Sequence, residues 1–133
     1  MDLLVYTVIG LTVTWLLYIA YMNVATRAAE GRSAESLYSI FPGMRVREGK
    51  FLVYCFSPQC RPCRPMSREV DSLIDDGEPV YKLDITKHPE ASRELGIRAA
   101  PTLVLIENGR IARMVLGVKL AAFMRDMLGE TRR

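Results

Sequence analysis

The sequence predicts an α/β domain, in which a central mixed β-sheet is flanked by helices, preceded by one N-terminal transmembrane helix. In the C-terminal part, short apolar runs alternate with helical patterns, and an Asn-Gly pair separates the last two runs. Near the N-terminus, a long uncharged segment lies between Asp2 and Arg27. The chain of 133 residues therefore divides into a transmembrane anchor (1–26), a tether (27–48) and the domain (49–133).

The composition excludes several classes of protein. Half of the residues are hydrophobic and a quarter are charged, as in globular proteins rather than in disordered or coiled-coil chains. The net charge of +3 is too small to indicate nucleic-acid binding. Three cysteines are too few for a disulfide-stapled scaffold, which favours a chemical role for them.

The apolar run at residues 3–21 is long enough to cross a bilayer core of about 30 Å as a helix. Trp15, Tyr18 and Tyr21 lie toward its C-terminal end, as aromatic residues do at a headgroup interface. A cleaved signal peptide, one alternative, normally has Lys or Arg before a shorter apolar run, and here only Asp2 and the amino terminus precede it. A buried core helix, the other alternative, would need a larger protein around it. We therefore predict a single membrane anchor.

The charges that flank the anchor bear on its orientation. Arg27 and Arg32 follow the apolar run, and nothing basic except the amino terminus precedes it. The positive-inside rule therefore favours a cytoplasmic domain, with an outward or periplasmic domain as the alternative.

The tether combines charged residues with Ser, Gly and a few apolar positions. Such a composition suits a chain that links an anchor to a domain. Within it we predict one short helix at residues 34–40, with Ser33 as its N-cap.

The domain is predicted to follow the order β-α-β-α-β-β-α. Strands separated by helices imply parallel pairing, and the Asn-Gly turn, the strongest short-range hairpin signal, adds an antiparallel edge. The predicted elements are a strand at 51–56, a helix at 62–75, a strand at 80–85, a helix at 89–95, a strand at 102–106, the turn Asn108-Gly109, a strand at 111–116 and a helix at 118–128. The two long helices carry apolar stripes that we expect to face the sheet: Met66, Val70, Leu73 and Ile74, and then Leu120, Phe123, Met124, Met127 and Leu128.

The chemistry is concentrated at Cys60-Arg61-Pro62-Cys63, in the turn between the first strand and the first long helix. Two cysteines three apart at a helix start can close a small disulfide ring, and unpaired N–H groups and the helix dipole stabilise a thiolate there. Cys60 is therefore the candidate nucleophile, and Cys63, one turn further and more buried, is the candidate resolving thiol. Pro62 suits the first helical turn, where its missing N–H costs nothing.

Two arginines flank this pair in the sequence. We assign Arg61 and Arg64, together with Pro62, to tuning the pKa of Cys60. We expect the positive charges to lower that pKa, which stabilises the reduced form and makes the pair more oxidising.

Structural zinc and inert thiols are the alternatives for these cysteines. Zinc usually needs four ligands, and the spare candidates, Cys55 in an apolar strand and His88 in a loop, are not suitably paired with the other two cysteines. We expect Cys55 to be buried as a small hydrophobic residue and His88 to be solvated. No metal site is therefore predicted.

Several features occur in an order typical of one family. They are Cys60-Arg61-Pro62-Cys63 after an apolar strand, Lys82-Leu83-Asp84 in the next strand, Ala100-Pro101-Thr102 before the hairpin, Asn108-Gly109 at its turn and Gly117 after it. On these residues the segment from about residue 49 to residue 130 resembles the thioredoxin family. The resemblance implies the thioredoxin fold and thiol-disulfide exchange with no cofactor beyond the cysteine pair. It also implies a cis peptide bond at Pro101 facing the cysteines, and pairing of the backbone at Ala100 and Pro101 with an extended substrate strand.

The chain departs from the family pattern around the cysteines. Gln59 stands where the family usually has a Trp, and Tyr54 stands where it usually buries an Asp that assists proton transfer. A neutral phenol is a poor base at pH 7. Lys82, which matches the lysine that accompanies that acid, would lack its partner.

These observations lead to one principal hypothesis and two alternatives. The principal hypothesis is a membrane-anchored thiol-disulfide oxidoreductase that acts through Cys60 and Cys63 on protein thiols and disulfides, mainly as a reductase, and is recycled by a redox partner. The first alternative is a non-catalytic module of thioredoxin fold that uses the groove near Pro101 to bind a membrane complex or deliver a metal. The second is a structural membrane subunit.

Overall fold

The computed structural model describes residues 1–42 and 49–129, so the end of the predicted tether (43–48) and residues 130–133 lie outside the described residues. The helices and strands alternate as the sequence predicts, with boundaries that differ by a few residues. In chain order they are α1 (Asp2–Arg27), α2 (Ser36–Ile40), β1 (Lys50–Phe56), α3 (Cys63–Asp75), β2 (Val80–Asp84), α4 (Pro89–Leu95), β3 (Thr102–Glu107), β4 (Arg110–Leu116) and α5 (Ala121–Gly129).

The four strands form one mixed sheet in the order β2-β1-β3-β4. The predicted parallel pairing is confirmed for β1 and β2 and is wrong for β3, which is antiparallel to β1. β2 ends at Asp84, opposite Phe56, and β3 begins at Thr102, opposite Cys55, so both lie at the same end of the sheet. The physical reason is that α4 has 7 residues and is therefore about 10 Å long, too short to return the chain along a strand.

The side chains of β1 alternate between two apolar layers, which places helices on both faces of the sheet. Phe51, Val53 and Cys55 pack with residues of β3, β4 and α4 in one cluster. Leu52 and Tyr54 pack in the second cluster with the buried sides of α3 and α5. All five of these residues are buried, which explains the uninterrupted apolar run in the sequence.

Part of the segment assigned to the tether packs against the sheet. Ala29, Ala34 and Leu37 are buried in the first cluster. The backbone N–H of Gly31 donates to the carbonyl oxygen of Ile111 at 2.7 Å, which attaches this segment to β4. The segment therefore covers the outer edge of the last strand and contributes to the core.

The short helix α2 begins later than predicted, and the N-cap assignment of Ser33 is wrong. Glu35 is the N-cap, and Ser33 instead forms an antiparallel bridge with Arg110 of β4. Pairing with the sheet edge thus keeps Ser33 in extended chain, so that the helix starts at Ser36.

The predicted apolar stripes are confirmed except at one residue of each helix. Cys63, Met66, Val70 and Leu73 are buried on α3, whereas Ile74 is 39% exposed. On the last helix Met124, Met127 and Leu128 are buried and Phe123 is half-buried, but Leu120 is 67% exposed because α5 begins only at Ala121. The predicted turn between β3 and β4 is confirmed, with positive φ angles of 52° at Asn108 and 79° at Gly109.

Helix α1 is the one helix in the described part of the chain that is long and apolar enough to cross a membrane. Its residues from Leu3 to Tyr21 are all exposed, and its last turns are partly covered by the domain. No other described residues therefore cover its apolar stretch.

Candidate active site

The two cysteines lie at the junction between the end of β1 and the start of α3. The loop after Phe56 is closed by a hydrogen bond from the N–H of Cys60 to the carbonyl oxygen of Ser57 at 3.1 Å. α3 begins at Cys63 rather than at Pro62, which is its N-cap. The sulfur atoms of Cys60 and Cys63 are bonded to each other, and their Cα atoms are 5.3 Å apart.

The two half-cystines differ in their access to solvent. Cys63 is 2% exposed and packs under α3, whereas Cys60 is half-buried at the margin of the same apolar cluster. An incoming thiolate reaches the outer sulfur more readily than the inner one. The accessible Cys60 therefore suits the role of nucleophile, and the buried Cys63 suits the role of resolving thiol.

Pro101 lies at the same end of the sheet as the cysteine turn, because β3 starts where β1 finishes. We call this end the cysteine end; it comprises the end of β1 at Phe56, the start of β3 at Thr102 and the end of β4 at Leu116. The Ala100-Pro101 peptide bond is cis, as the family resemblance implies.

Hydrogen bonds hold the loop before β3 in place. The carbonyl oxygen of Pro101 accepts from the N–H of Gly117 at 2.9 Å, and the hydroxyl of Thr102 donates to the carbonyl oxygen of Ala99 at 2.7 Å. In the part of the chain that the structure describes, the backbone N–H and carbonyl of Ala100 have no hydrogen-bond partner. Ala100, which packs against the same apolar cluster as Cys60, thus presents a free donor and a free acceptor at the cysteine end.

Tyr54 lies in β1 below the start of α3 and is fully buried. Its hydroxyl donates to the backbone carbonyl of Cys63 at 2.9 Å and is 2.9 Å from the hydroxyl oxygen of Ser67. Burial raises the pKa of Tyr54 above its usual value, so the phenol is neutral near pH 7. Its ring stacks on that of Phe56 at a centroid distance of 5.6 Å.

Lys82 lacks the acid that accompanies it in the family, because Tyr54 stands at that position, but it pairs with a different carboxylate. Its ammonium group lies 3.0 Å from a carboxylate oxygen of Asp71 on α3 and 5.4 Å from the ring centroid of Phe56. The sequence does not suggest this pair, because α3 must pack against β2 before the two residues meet. Ser67 could have been found, since it follows Cys63 by one helical turn and shares its face.

The three residues assigned to pKa tuning are all exposed and adjoin the two cysteines in the chain. Arg61 and Pro62 are exposed in the turn, and Arg64 is exposed at the start of α3. Gln59 is also exposed, and its side-chain oxygen accepts from the hydroxyl of Ser57 at 3.0 Å. The exposed side chains of Gln59, Arg61 and Arg64 therefore make this turn polar and cationic rather than aromatic.

Cys55 and His88 lie away from the disulfide. Cys55 points into the other cluster, on the opposite face of the sheet, where burial raises the pKa of its thiol well above the usual range. This confirms its expected packing role. His88 is half-buried and precedes the first residue of α4 rather than being fully solvated. Within residues 1–42 and 49–129 no three potential metal-ligating side chains form a group.

Comparison with known proteins gives a consistent family match. Residues 43–129 match the family model of thioredoxin. The chain is 35% identical to a thioredoxin of Porphyra purpurea over 69 residues, which cover 50% of this chain and 64% of that protein. It is 32% identical over 80 residues to a bifunctional thioredoxin reductase/thioredoxin of Mycobacterium leprae, covering 57% of this chain and 18% of that protein. The chain thus spans less than two thirds of the length of these relatives.

A solved structure shows the same architecture. The thioredoxin of Fasciola hepatica superimposes with a TM-score of 0.61 at 22% identity, covering 73% of this chain and 92% of that chain. At this identity the likeness is one of fold.

Proposed function

The chain belongs to the thioredoxin family and has its fold, and from this membership we propose that it is a membrane-tethered thiol-disulfide oxidoreductase whose catalytic residues are Cys60 and Cys63. The observation that carries the proposal is the bonded cysteine pair at the start of α3, with one member accessible and the other buried. Relatives at 32–35% identity are named thioredoxins.

We propose that exchange runs mainly in the reducing direction. In the dithiol form, the thiolate of Cys60 attacks one sulfur of a substrate disulfide, which forms a mixed disulfide and releases one substrate thiolate. The thiolate of Cys63 then attacks the sulfur of Cys60, which closes the Cys60-Cys63 disulfide and releases the second substrate thiolate. The released thiolates take up two protons from solvent, and two electrons pass from the pair to the substrate.

A dithiol donor must reduce the pair again after each cycle. The Mycobacterium leprae relative carries thioredoxin and thioredoxin reductase in one chain, according to its name. This supports a separate reductase as the recycling partner of the present protein. No cofactor other than the cysteine pair is needed for the exchange itself.

The substrate is proposed to bind as an extended strand at the cysteine end. The unpaired N–H and carbonyl of Ala100 can exchange two hydrogen bonds with such a strand, as in β-strand addition. Pro101 fixes the direction in which these groups point. The positive charges of Arg61 and Arg64, with the helix start at Pro62, stabilise the attacking thiolate of Cys60.

Helix α1 is proposed to anchor the protein in a membrane, with the domain on the cytoplasmic side. Arg27 and Arg32 follow the apolar stretch, whereas Asp2 precedes it, and this distribution supports that orientation. Protease digestion of right-side-out and inverted membrane vesicles tests it. The domain should be cleaved only in inverted vesicles; cleavage only in right-side-out vesicles places it outside.

The exchange reaction is tested by trapping the mixed disulfide with the full chain in detergent micelles. A Cys63→Ser variant should accumulate a covalent adduct with a disulfide-containing peptide through Cys60, while Cys60→Ser should form none. Cys55→Ser is the matched control, because it removes a buried thiol on the other face and should leave the wild-type turnover unchanged. Absence of an adduct with Cys63→Ser, together with absence of turnover in the wild type, would contradict the proposal.

That outcome would favour a non-catalytic binding module. The polar Gln59 beside the cysteines and the neutral Tyr54 beneath them are the observations that support this second candidate. Binding to a membrane complex would then survive Cys60→Ser, whereas a purely structural subunit would also tolerate replacement of both cysteines.

A further inference from the structure

The chain that follows α1 runs antiparallel to β4 along its outer edge. Ser33 bridges Arg110, and Ile111 exchanges backbone hydrogen bonds with Gly31 and Arg32 at 2.7 and 2.9 Å. Residues 31–33 therefore lie at the hairpin end of β4, which is the end remote from the cysteines.

Because this segment runs antiparallel to β4, the residues that precede Gly31 in the chain lie progressively nearer the cysteine end. The last turns of α1, from Asn23 to Arg27, line one groove together with β4 from Ala112 to Leu116. Met22, Ala25 and Thr26 are the half-buried side chains of α1, and their spacing gives the helix one face packed on the domain.

One turn earlier, α1 contacts the loop that leads to Pro101. The guanidinium of Arg98 donates to the hydroxyl of Tyr21 at 3.3 Å and lies 6.0 Å from its ring centroid. Upstream of Tyr21 every residue of the helix is exposed. The helix therefore leaves the domain at the cysteine end of the sheet.

The length of the exposed stretch matches a bilayer. From Met1 to Tyr21 an α-helix measures about 31 Å, close to the thickness of the hydrocarbon core. If this stretch spans the membrane, the bilayer surface lies at Tyr21, beside Arg98 and hence beside the cysteine end.

The surface at this end is apolar and cationic. Outside α1, the large hydrophobic side chains that are exposed in the described residues are Ile74, Leu116, Val118 and Leu120, and all except Ile74 lie in one five-residue segment next to the end of β4. Lys119 lies within that segment, and Arg98 lies in the loop before β3, at the same end of the sheet. Such a combination suits an interface where apolar side chains enter the acyl boundary and cations meet anionic headgroups.

We propose that α1 holds the domain with its cysteine end facing the bilayer, that the segment from Leu116 to Leu120 contacts lipid, and that the disulfides exchanged are those at the membrane surface. The substrate class is thus an integral or lipid-attached protein with cysteines just outside the bilayer. This inference rests on the proposed function, since it names the substrates of the same cysteine pair. Freely soluble proteins reach the pair less readily.

The orientation is tested without reference to redox activity. Trp15 is the chain's single Trp, so Trp15→Phe gives a background without Trp. A Trp introduced into this background at one chosen position then reports on the surroundings of that position alone. In the full chain in vesicles, lipids brominated near the headgroup end of the acyl chain should quench Leu120→Trp by at least about twofold. Asp75→Trp is the matched control: it is exposed at the far end of α3 and should be unaffected. Equal quenching at both sites, or none at Leu120→Trp, would overturn the proposal.

The substrate class is tested with one peptide disulfide attached to a lipid in the same vesicles through either a short linker of about 10 Å or a flexible linker of about 60 Å. With the cysteine end facing the bilayer, the short-linked peptide should be reduced at least as fast as the long-linked one. If the cysteine end faces away, the short-linked peptide should react more slowly by about tenfold or more, because it cannot reach the cysteines. A pair of variants checks the lipid contact: Leu120→Ser should lower the short-to-long rate ratio, and Ile74→Ser should leave it unchanged.

The two proposals fail in different ways. Failure to reduce the linked peptides and the same peptide in solution would contradict the exchange activity, while the quenching result would still decide the orientation. Reduction of the soluble peptide together with an unquenched Leu120→Trp would leave the activity standing and overturn the orientation.

Discussion

The phenolic oxygen of Tyr54 lies 2.9 Å from the backbone carbonyl oxygen of Cys63. Because a carbonyl oxygen can only accept, the phenol is the donor, and the hydroxyl of Ser67 is then the donor to the phenol. The first residue of α3, which carries one of the two bonded sulfurs, is thereby attached to the middle of β1. A neutral hydroxyl performs this attachment, in a position where related proteins usually bury an acid.

Replacing Tyr54 by Phe should destabilise the protein with little change in packing. The ring and its stacking on Phe56 remain, but the carbonyl of Cys63 and the hydroxyl of Ser67 each lose a buried partner. The expected loss in the free energy of unfolding is about 1 to 2 kcal/mol. Urea unfolding of the oxidised full chain in detergent measures it.

Tyr81→Phe is the matched control for this change. Tyr81 is half-buried and contacts the rings of Phe41 and Phe51, but its hydroxyl has no hydrogen-bond partner among the described residues. Its loss should cost less than about 0.5 kcal/mol. Equal effects of the two substitutions would show that the Tyr54 hydroxyl contributes no hydrogen-bond energy.

Tyr54 should also make stability depend on alkaline pH. Burial raises its pKa in the folded protein, while in the unfolded chain a tyrosine ionises near pH 10. The neutral form is favoured by folding, so this contribution is complete below about pH 10 and is lost as pH rises toward the folded pKa. The free energy of unfolding of the wild type should therefore fall relative to that of Tyr54→Phe above about pH 10, and the difference should be constant from pH 7 to 9. Denaturant titrations across this range, in a Cys60→Ser, Cys63→Ser background that avoids alkaline disulfide loss, provide the test; a constant difference up to pH 11 would contradict it.

Local signals explain why the elements of the domain are predictable from the sequence. The turn at Asn108-Gly109 requires positive φ at both residues, and the Asn-Gly pair alone is enough to indicate such a turn. The cysteine pair is recognisable for the same reason, because its chemistry depends on a spacing within one turn. In contrast, the antiparallel placement of β3 depends on the short length of α4, which periodicity does not reveal.

Contacts between distant parts of the chain are not encoded in local patterns. Lys82 meets Asp71 only because β2 lies beside β1 and α3 packs across them. Ala29 and Ala34 are buried in a segment that is predominantly polar, and two small side chains give no amphipathic stripe. Their burial follows from the pairing of the same segment with β4, which the sequence does not predict.

Leu37→Ala tests whether the segment before β1 is part of the cooperative fold. Leu37 is fully buried in the cluster that includes Leu95 and Ile111, so its truncation leaves a cavity. The free energy of unfolding should fall by about 3 kcal/mol. Leu120→Ala removes the same atoms from an exposed position and should cost less than about 0.5 kcal/mol in detergent. An equally small effect of Leu37→Ala would mean that the segment unfolds independently of the sheet.

Neutralising the two arginines beside the disulfide should make the cysteine pair less oxidising. Arg61 and Arg64 are exposed around Cys60, and their charges favour the thiolate over the disulfide. In Arg61→Gln, Arg64→Gln the reduced form loses that stabilisation, so the reduction potential should become more negative by about 10 to 20 mV. Equilibration of the full chain with graded glutathione buffers, followed by quantification of free thiols, measures the potential.

If the two arginines act through their charge, the shift in reduction potential of the same variant should also depend on salt. Exposed charges are screened by salt over a few ångströms at about 1 M, so the difference in potential should shrink at high ionic strength. Arg93→Gln, on α4 at the opposite face of the sheet, is the control and should leave the potential unchanged. A shift that persists in high salt would show that the arginines act through the structure of the turn. A shift that Arg93→Gln reproduces would show that they act through the net charge of the protein. A shift confined to low salt and to the two arginines assigns part of the reducing or oxidising character of this protein to the charge of its cysteine turn.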